Sequence, residues 1–133
     1  MKLAIFPGSF DPFHEGHDFV VQKGLEDFDL IYIVISWNEN KERFFSYLKS
    51  KKIIKRKYKK NKKIKVLINK HQLTVNIARK LNCFNIIRGY RNEEDLKYEQ
   101  KLKSQYLMLE PKINFILYKS NIDLSSTTIK NMV

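Results

Sequence analysis

Apolar and polar positions along the chain fall into two alternating kinds of segment. Leu3 to Phe6, Leu30 to Ile35, Ile64 to Ile68, Asn85 to Ile87 and Ile113 to Tyr118 are short, rich in Ile, Val and Leu, and nearly unalternating. Strands buried on both faces of a parallel sheet read in this way. Between them, His17 to Asp27, Ser46 to Tyr58, Leu73 to Leu81 and Glu93 to Leu109 have helical length, and Thr74, Ile77 and Leu81 keep one face of their segment together. Strand and helix take turns with no low-complexity linker and no internal repeat, so the pattern predicts an α/β fold in one continuous domain over residues 1–133. In such a sheet a ligand sits beyond the carboxyl ends of the strands, where the strand order reverses and helix N-termini favour anions.

A length of 133 residues agrees with that reading, since domains most often hold about 100 to 150 residues. No apolar run approaches the roughly 20 residues that span a bilayer, and the opening MKLAIFPGSF is too short in its apolar part for a secretory signal. A soluble, cytoplasmic protein is expected. The lone Cys83 allows no internal disulfide and no thiolate metal cluster, and reads as a buried structural thiol.

Charge changes the picture in one place. The net charge is +12, and Lys49 to Lys65 supplies eleven basic residues with no acid. Such a run suits either a phosphate-tracking face, strengthened at low salt by counterion release, or a solvated helix. The over-use of Lys, Asn and Ile throughout favours the solvated helix.

Candidate chemistry gathers elsewhere. Residues Phe6 to His17 read FPGSFDPFHEGH and hold two of the four glycines, two of the three prolines and two of the three histidines. The stretch follows the first strand and leads into the first helix, so its glycines are expected to let the backbone approach a ligand while Gly16 and His17 open the helix. A phosphate would fit this turn. Neither G-x-x-x-x-G-K-[ST] nor G-x-G-x-x-G is present, and the histidines of HEGH lie three apart rather than in a zinc-protease HExxH.

The stretch resembles the [ST]-F-D-P-x-H-x-G-H signature of the nucleotidyltransferase superfamily. Read alone, that signature leaves the acceptor open among pantetheine, nicotinate mononucleotide and polyol phosphates. NIIRGYRNEEDLKYE at Asn85 to Glu99 narrows it, being similar to the I-R-G-x-R-x-x-x-D-x-x-Y-E block of the bacterial phosphopantetheine adenylyltransferases. DLSSTTIK at Asp123 to Lys130 resembles the family's I-S-S-[ST]-x-[IV]-[RK] segment, and LTVNIA at Leu73 to Ala78 is a weaker match. The resemblance implies a Rossmann-like, doubly wound parallel sheet of five strands with helices on both faces. It also implies transfer of the adenylyl group of ATP to 4'-phosphopantetheine, giving dephospho-coenzyme A and pyrophosphate.

Roles follow from the resemblance residue by residue. His17, Lys41 and Arg88 are the implied catalytic set, with His17 against the α-phosphate and Lys41 and Arg88 gripping the acceptor phosphate. ATP would be met by Ser9, Phe10, His14, His17, Gly89, Tyr90, Arg91 and Glu99, and by Ser125, Ser126 and Thr127, which also read as helix N-cap residues. Glu99 fits the nucleoside end. Ser9 is shared with the acceptor, and Thr74 lies where the family binds the pantetheine arm. Asp11 and Pro12 read as shaping the turn. Trp37, Asn38 and the run from Lys41 to Phe45 form a connection that either closes over the acceptor or stays passive. The implied cofactor is Mg2+ held by phosphates and water, with no protein metal site.

Two departures from the family pattern stand out. The chain stops at Val133, a few residues beyond the serine motif, where adenylyltransferases of this group carry a further helical tail. The C-terminal helical region is thus expected to be shortened, and the homo-oligomer, a hexamer in the family, is left open to smaller forms. Asn121 stands where some members have an aromatic residue. Nicotinate mononucleotide adenylyltransferases share the first and third motifs, and glycerol-phosphate-type cytidylyltransferases explain the short C-terminus. Neither explains the Asn85 to Glu99 block. Outside enzymes, a nucleic-acid-binding module using Lys49 to Lys65 is the alternative, although neither nucleic acid nor a membrane is the expected partner.

Overall fold

The computed structural model describes residues 1–37 and 42–120. Strands β1 (Leu3–Gly8), β2 (Leu30–Ser36), β3 (Ile64–Asn69), β4 (Asn85–Tyr90) and β5 (Asn114–Lys119) alternate with helices α1 (Glu15–Asp27), α2 (Tyr47–Lys57), α3 (Thr74–Leu81) and α4 (Glu93–Leu109). All five strands are parallel, in the order β3-β2-β1-β4-β5. The expected Rossmann-like sheet is present. Each strand falls within a few residues of its hydrophobic run because that run is what both helical layers cover.

Period-two alternation divides the core. Phe6, Ile31, Ile33, Ile35, Val66 and Ile87 pack on one face with Val20 and Val21 of α1 and Ile54 of α2. Ile5, Val34, Ile86 and Phe115 pack on the other with Val75 and Ala78 of α3 and, at its margin, Leu102 and Tyr106 of α4. Cys83 is buried in this second layer, and burial pushes its thiol pKa up, as an inert structural thiol requires.

Local signals set the helix ends. The Ser46 hydroxyl accepts the N–H of Lys49 at the start of α2, and the Asn92 side chain accepts that of Asp95 at the start of α4. Glu93, Glu94 and Asp95 meet the positive end of α4, while Lys55, Arg56 and Lys57 meet the negative end of α2. Asn82 ends α3 in the left-handed conformation, at φ 50 and ψ 46. The basic run thus occupies α2, the turn after it and the start of the edge strand β3, two strands away from β1.

The β1/β4 seam opens the sheet. β1 pairs with β2 along six residues but with β4 only at Ile5 and Ile86. Two residues beyond Ile5 the chain has Pro7, which lacks an N–H to continue the ladder. Side chains take over the flanking carbonyls: Asn85 Nδ2 donates to Leu3 O at 2.9 Å, and Arg88 Nη1 donates to Pro7 O at 2.7 Å. Chain order also reverses direction at this seam, so the cleft falls at the switch point.

Candidate active site

The carboxyl ends of β1 and β4 and the first turn of α1 enclose a cleft of about 330 Å³. Ser9, Phe10, His14, His17, Arg88, Gly89, Tyr90, Arg91 and Glu99 line it, all of them residues singled out in the sequence. Val20, Asp95, Tyr98 and Ser120 line it as well.

His14, rather than Gly16 or His17, caps the helix. Its Nδ1 accepts the N–H of Gly16 at 3.0 Å, and His17 Nδ1 reaches back to accept the N–H of His14 at 3.0 Å. This is a capping box built from two histidines instead of a hydroxyl and a carboxylate. An Nδ1 that accepts an N–H carries no proton, so both neutral rings hold their proton on Nε2 and offer it as a donor. Burial, then the Arg91 charge, lowers the His14 pKa; burial, then His14 and Arg88, holds that of His17 well below its ordinary value. The two rings stack with centroids 3.8 Å apart.

Aromatic packing fixes His17 further. The Phe10 ring meets it edge-on at 5.0 Å and the Phe13 ring lies at 5.1 Å. Phe10 achieves this with φ 46, a left-handed conformation that an aromatic residue seldom adopts. Gly8 and Gly16 line the cleft, and neither has a positive φ; a Cβ on Gly8 would lie 2.8 Å from the Phe10 ring. Gly89 has a related role, since a Cβ there would meet Val20 Cγ2 at 2.5 Å. It lets α1 sit close over β4.

Across the cleft, Arg88 is held from two sides. Its Nε lies 3.0 Å from both carboxylate oxygens of Glu99 and its Nη2 donates to Oε1 at 2.7 Å, while Nη1 takes Pro7 O. Burial acts against the guanidinium charge, but hydrogen bonding and charge from Glu99 outweigh it, and the pKa rises. Glu99, expected at the nucleoside end, is 4% exposed, lines the cleft and anchors Arg88. Arg91 donates from Nε and from its backbone N–H to Asp95 Oδ2, at 2.9 and 3.1 Å, and that hydrogen bonding holds the Asp95 carboxyl below its usual range.

Thr74 does not line the cleft; its hydroxyl accepts the Tyr106 O–H at 3.2 Å. Lys41, Asn38, Ser125, Ser126 and Thr127 lie outside the described residues. Asp11, read from the sequence as shaping its own turn, ties that turn to the connection before α2, accepting the N–H of Phe44 at 2.8 Å and of Phe45 at 2.6 Å. Arg43, within the Lys41 to Phe45 run but given no role of its own from the sequence, donates from Nη1 to Ser9 O at 2.8 Å. It stands in a connection with no motif and no periodicity, and no signal marks it.

Comparison with known proteins agrees with this geometry. A family model described as cytidylyltransferase-like matches residues 5–132. The phosphopantetheine adenylyltransferase of Mycoplasma capricolum is 38% identical over 135 residues, covering 99% of this chain and 96% of the relative. That of Lactobacillus gasseri is 36% identical, covering 100% of this chain and 82% of the relative. A bifunctional NMN adenylyltransferase/ADP ribose pyrophosphatase from Francisella tularensis, complexed with AMP and a manganese ion, superposes with a TM-score of 0.71 at 17% identity over 98% of this chain and 41% of that one. A lipopolysaccharide core biosynthesis protein from Thermoplasma volcanium gives a TM-score of 0.64 at 19% identity, over 92% of this chain and 99% of that one. At these identities the structural likeness speaks for the fold. With the signature turn, the switch-point cleft and the full-length relatives in agreement, the chain belongs to the cytidylyltransferase-like family and, within it, to the phosphopantetheine adenylyltransferases.

Proposed function

We propose that this enzyme transfers the adenylyl group of ATP to the phosphate of 4'-phosphopantetheine at the β1/β4 cleft. The observation that carries the reading is the placement of two Nε2–H imidazoles at the N-terminus of α1, facing Arg88 and Arg91 in one cleft, in a chain with full-length relatives of that name.

An acceptor phosphate oxygen attacks the α-phosphorus of ATP in line, the bond from that phosphorus to the bridging oxygen breaks, and pyrophosphate leaves. No covalent enzyme intermediate is needed, so the protein supplies position and positive potential. His17 Nε2–H donates to the α-phosphate oxygens as charge shifts in the transition state, and His14 Nε2–H donates to the neighbouring phosphates. The dipole of α1, whose positive end faces the cleft, adds to this. Arg88 bears on the acceptor phosphate. It is preorganised by Glu99 and Pro7 O, so little conformational freedom is lost when the phosphate binds.

Magnesium fits this cleft as a companion of the nucleotide. Its described polar groups are mainly cationic or N–H donors, and among the described residues no three His, Cys, Asp or Glu gather around a common point. A hard cation carried on the triphosphate oxygens and water would supply further charge neutralisation there. No helix among the described residues is long and apolar enough to cross a membrane. A cytoplasmic location and self-association into a homo-oligomer complete the reading, the latter counted by sedimentation.

The test is pyrophosphate release with Mg2+-ATP, comparing 4'-phosphopantetheine with nicotinate mononucleotide and glycerol 3-phosphate, and repeating each with CTP. Release with ATP and 4'-phosphopantetheine alone is expected. Faster release with another pair would replace the acceptor or the nucleotide in this reading.

A further inference from the structure

We propose that Arg43 is a positioning residue for the transfer reaction, forming with Asp11 a two-sided clamp that holds Phe10 in its left-handed conformation and thereby fixes the His17 ring. The clamp rests on the activity proposed above. Phe10 is the strained position of the signature turn, with φ 46, and a bulky residue stays there only where its surroundings over-determine it. On the residue before it, Arg43 Nη1 donates to Ser9 O at 2.8 Å. On the residue after it, both carboxylate oxygens of Asp11 accept the backbone N–H groups of Phe44 and Phe45.

Arg43 is itself anchored at three further points. Nε donates to Phe45 O at 2.9 Å, Nη2 donates to Ser50 Oγ at 3.0 Å, and the guanidinium lies 4.0 Å from the centroid of the Tyr47 ring. Tyr47 in turn stacks on Trp37 at 4.1 Å and 11°. The guanidinium fork thus ties the signature turn to the start of α2, and through Tyr47 to the end of β2. A lysine has the charge but not the fixed, multi-pronged donor geometry for these partners. The consequence for catalysis passes through Phe10, whose ring packs edge-on against His17. Without the clamp the turn relaxes, the Phe10 ring moves, and the Nε2–H of His17 loses its aim; a misplacement of about 1 Å can cost on the order of 100-fold in rate.

The test uses Arg43→Ala and Arg43→Lys in the full chain with two readouts. The first is steady-state pyrophosphate release with ATP and 4'-phosphopantetheine. The second is the imidazole nitrogen and Cε1 resonances of His17, followed by NMR without substrate. Both variants are expected to lose about 10- to 100-fold in kcat with KM for ATP within about threefold of the parent, and both to shift the His17 resonances although neither substitution touches that ring. Emission of Trp37, the sole tryptophan, should change in Arg43→Ala as its stacking partner is released. Should Arg43→Ala fail to fold, Arg43→Lys decides alone. A folded variant with parental kcat and unmoved His17 resonances overturns the clamp. A parent that does not use 4'-phosphopantetheine overturns the proposed reaction instead, and the resonances still test the clamp.

Discussion

His17 Nδ1 accepts the backbone N–H of His14 at 3.0 Å, so the residue proposed to meet the α-phosphate is also half of a helix cap. The cap consumes one ring nitrogen, fixes the tautomer and directs the remaining N–H. One side chain joins local folding to proposed chemistry, and substitution can separate the two tasks. Gln is a natural partner at this position of a capping box, whereas Ala is not. His17→Ala should lose about 1 kcal/mol of stability and on the order of 10² to 10³ in kcat. His17→Gln should recover most of the stability and little of the turnover. Urea unfolding beside pyrophosphate release checks both, and a fully active His17→Gln would remove the ring from the chemistry.

Burial of the same ring predicts a pH dependence. The folded-state pKa of His17 lies well below the unfolded value near 6.5, chiefly through burial. The unfolded chain therefore binds more protons than the folded one between these two values, and stability rises with pH across that window. The stabilising contribution is complete above about pH 6.5 and is lost as pH falls towards the folded-state pKa. Urea midpoints at pH 7.5, 6 and 5 should fall more steeply in the parent than in His17→Gln. Equal slopes would mean that His17 is not held neutral by the fold.

Arg88 and Glu99 predict an asymmetry between breaking and replacing a buried pair. Arg88→Ala strands a carboxylate that is 4% exposed and should destabilise by about 3 to 5 kcal/mol, while apolar replacement of both partners is often close to neutral. Arg88→Met with Glu99→Leu should therefore be more stable than Arg88→Ala and equally unable to bind the acceptor. Denaturant titration together with acceptor affinity tests this. Acceptor affinity retained in the double variant would show that Arg88 does not hold the acceptor phosphate.

The basic run predicts a separation from catalysis. Lys52, Lys55, Lys59 and Lys62 are exposed on α2 and the turn after it, away from the cleft. Changing all four to Gln should leave kcat/KM within about twofold of the parent at moderate salt, because exposed charges beyond a Debye length of about 8 to 10 Å are largely screened. A loss of tenfold or more would tie this face to substrate capture.

Legibility from sequence varied with the kind of physics involved. The strands were readable because full burial on both faces leaves continuous apolar runs such as Leu30 to Ile35, and the helices because segments such as Ser46 to Tyr58 and Glu93 to Leu109 have helical length. The residues that line the cleft from β1 and β4 were readable through resemblance, since their spacing is set by the turn and the strand that carry them. Other features depend on which segments meet in space. The Glu99 anchor on Arg88 joins α4 to β4, and Arg43 reaches Ser9 across 34 positions of sequence. The left-handed conformation of Phe10 likewise lies where residues 43–45 meet Ser9 and Asp11, contacts that no local preference announces.

Gly89 offers a test of how closely helix and sheet must approach for the cleft to work. A Cβ at this position would lie 2.5 Å from Val20 Cγ2, and a β-branched side chain has little rotamer freedom in a helix with which to yield. Val20 stands three residues after His17 on α1, so displacing it moves the turn that aims both imidazoles. Gly89→Ala should cost about 1 to 3 kcal/mol through overpacking and lower kcat. Val20→Ala removes the offending methyl groups and should itself cost stability as a buried truncation. In the double variant the two costs should fall short of their sum by at least about 0.5 kcal/mol, the coupling typical of residues in contact. A strictly additive cycle would place the constraint on Gly89 elsewhere, in the backbone or in the ligand.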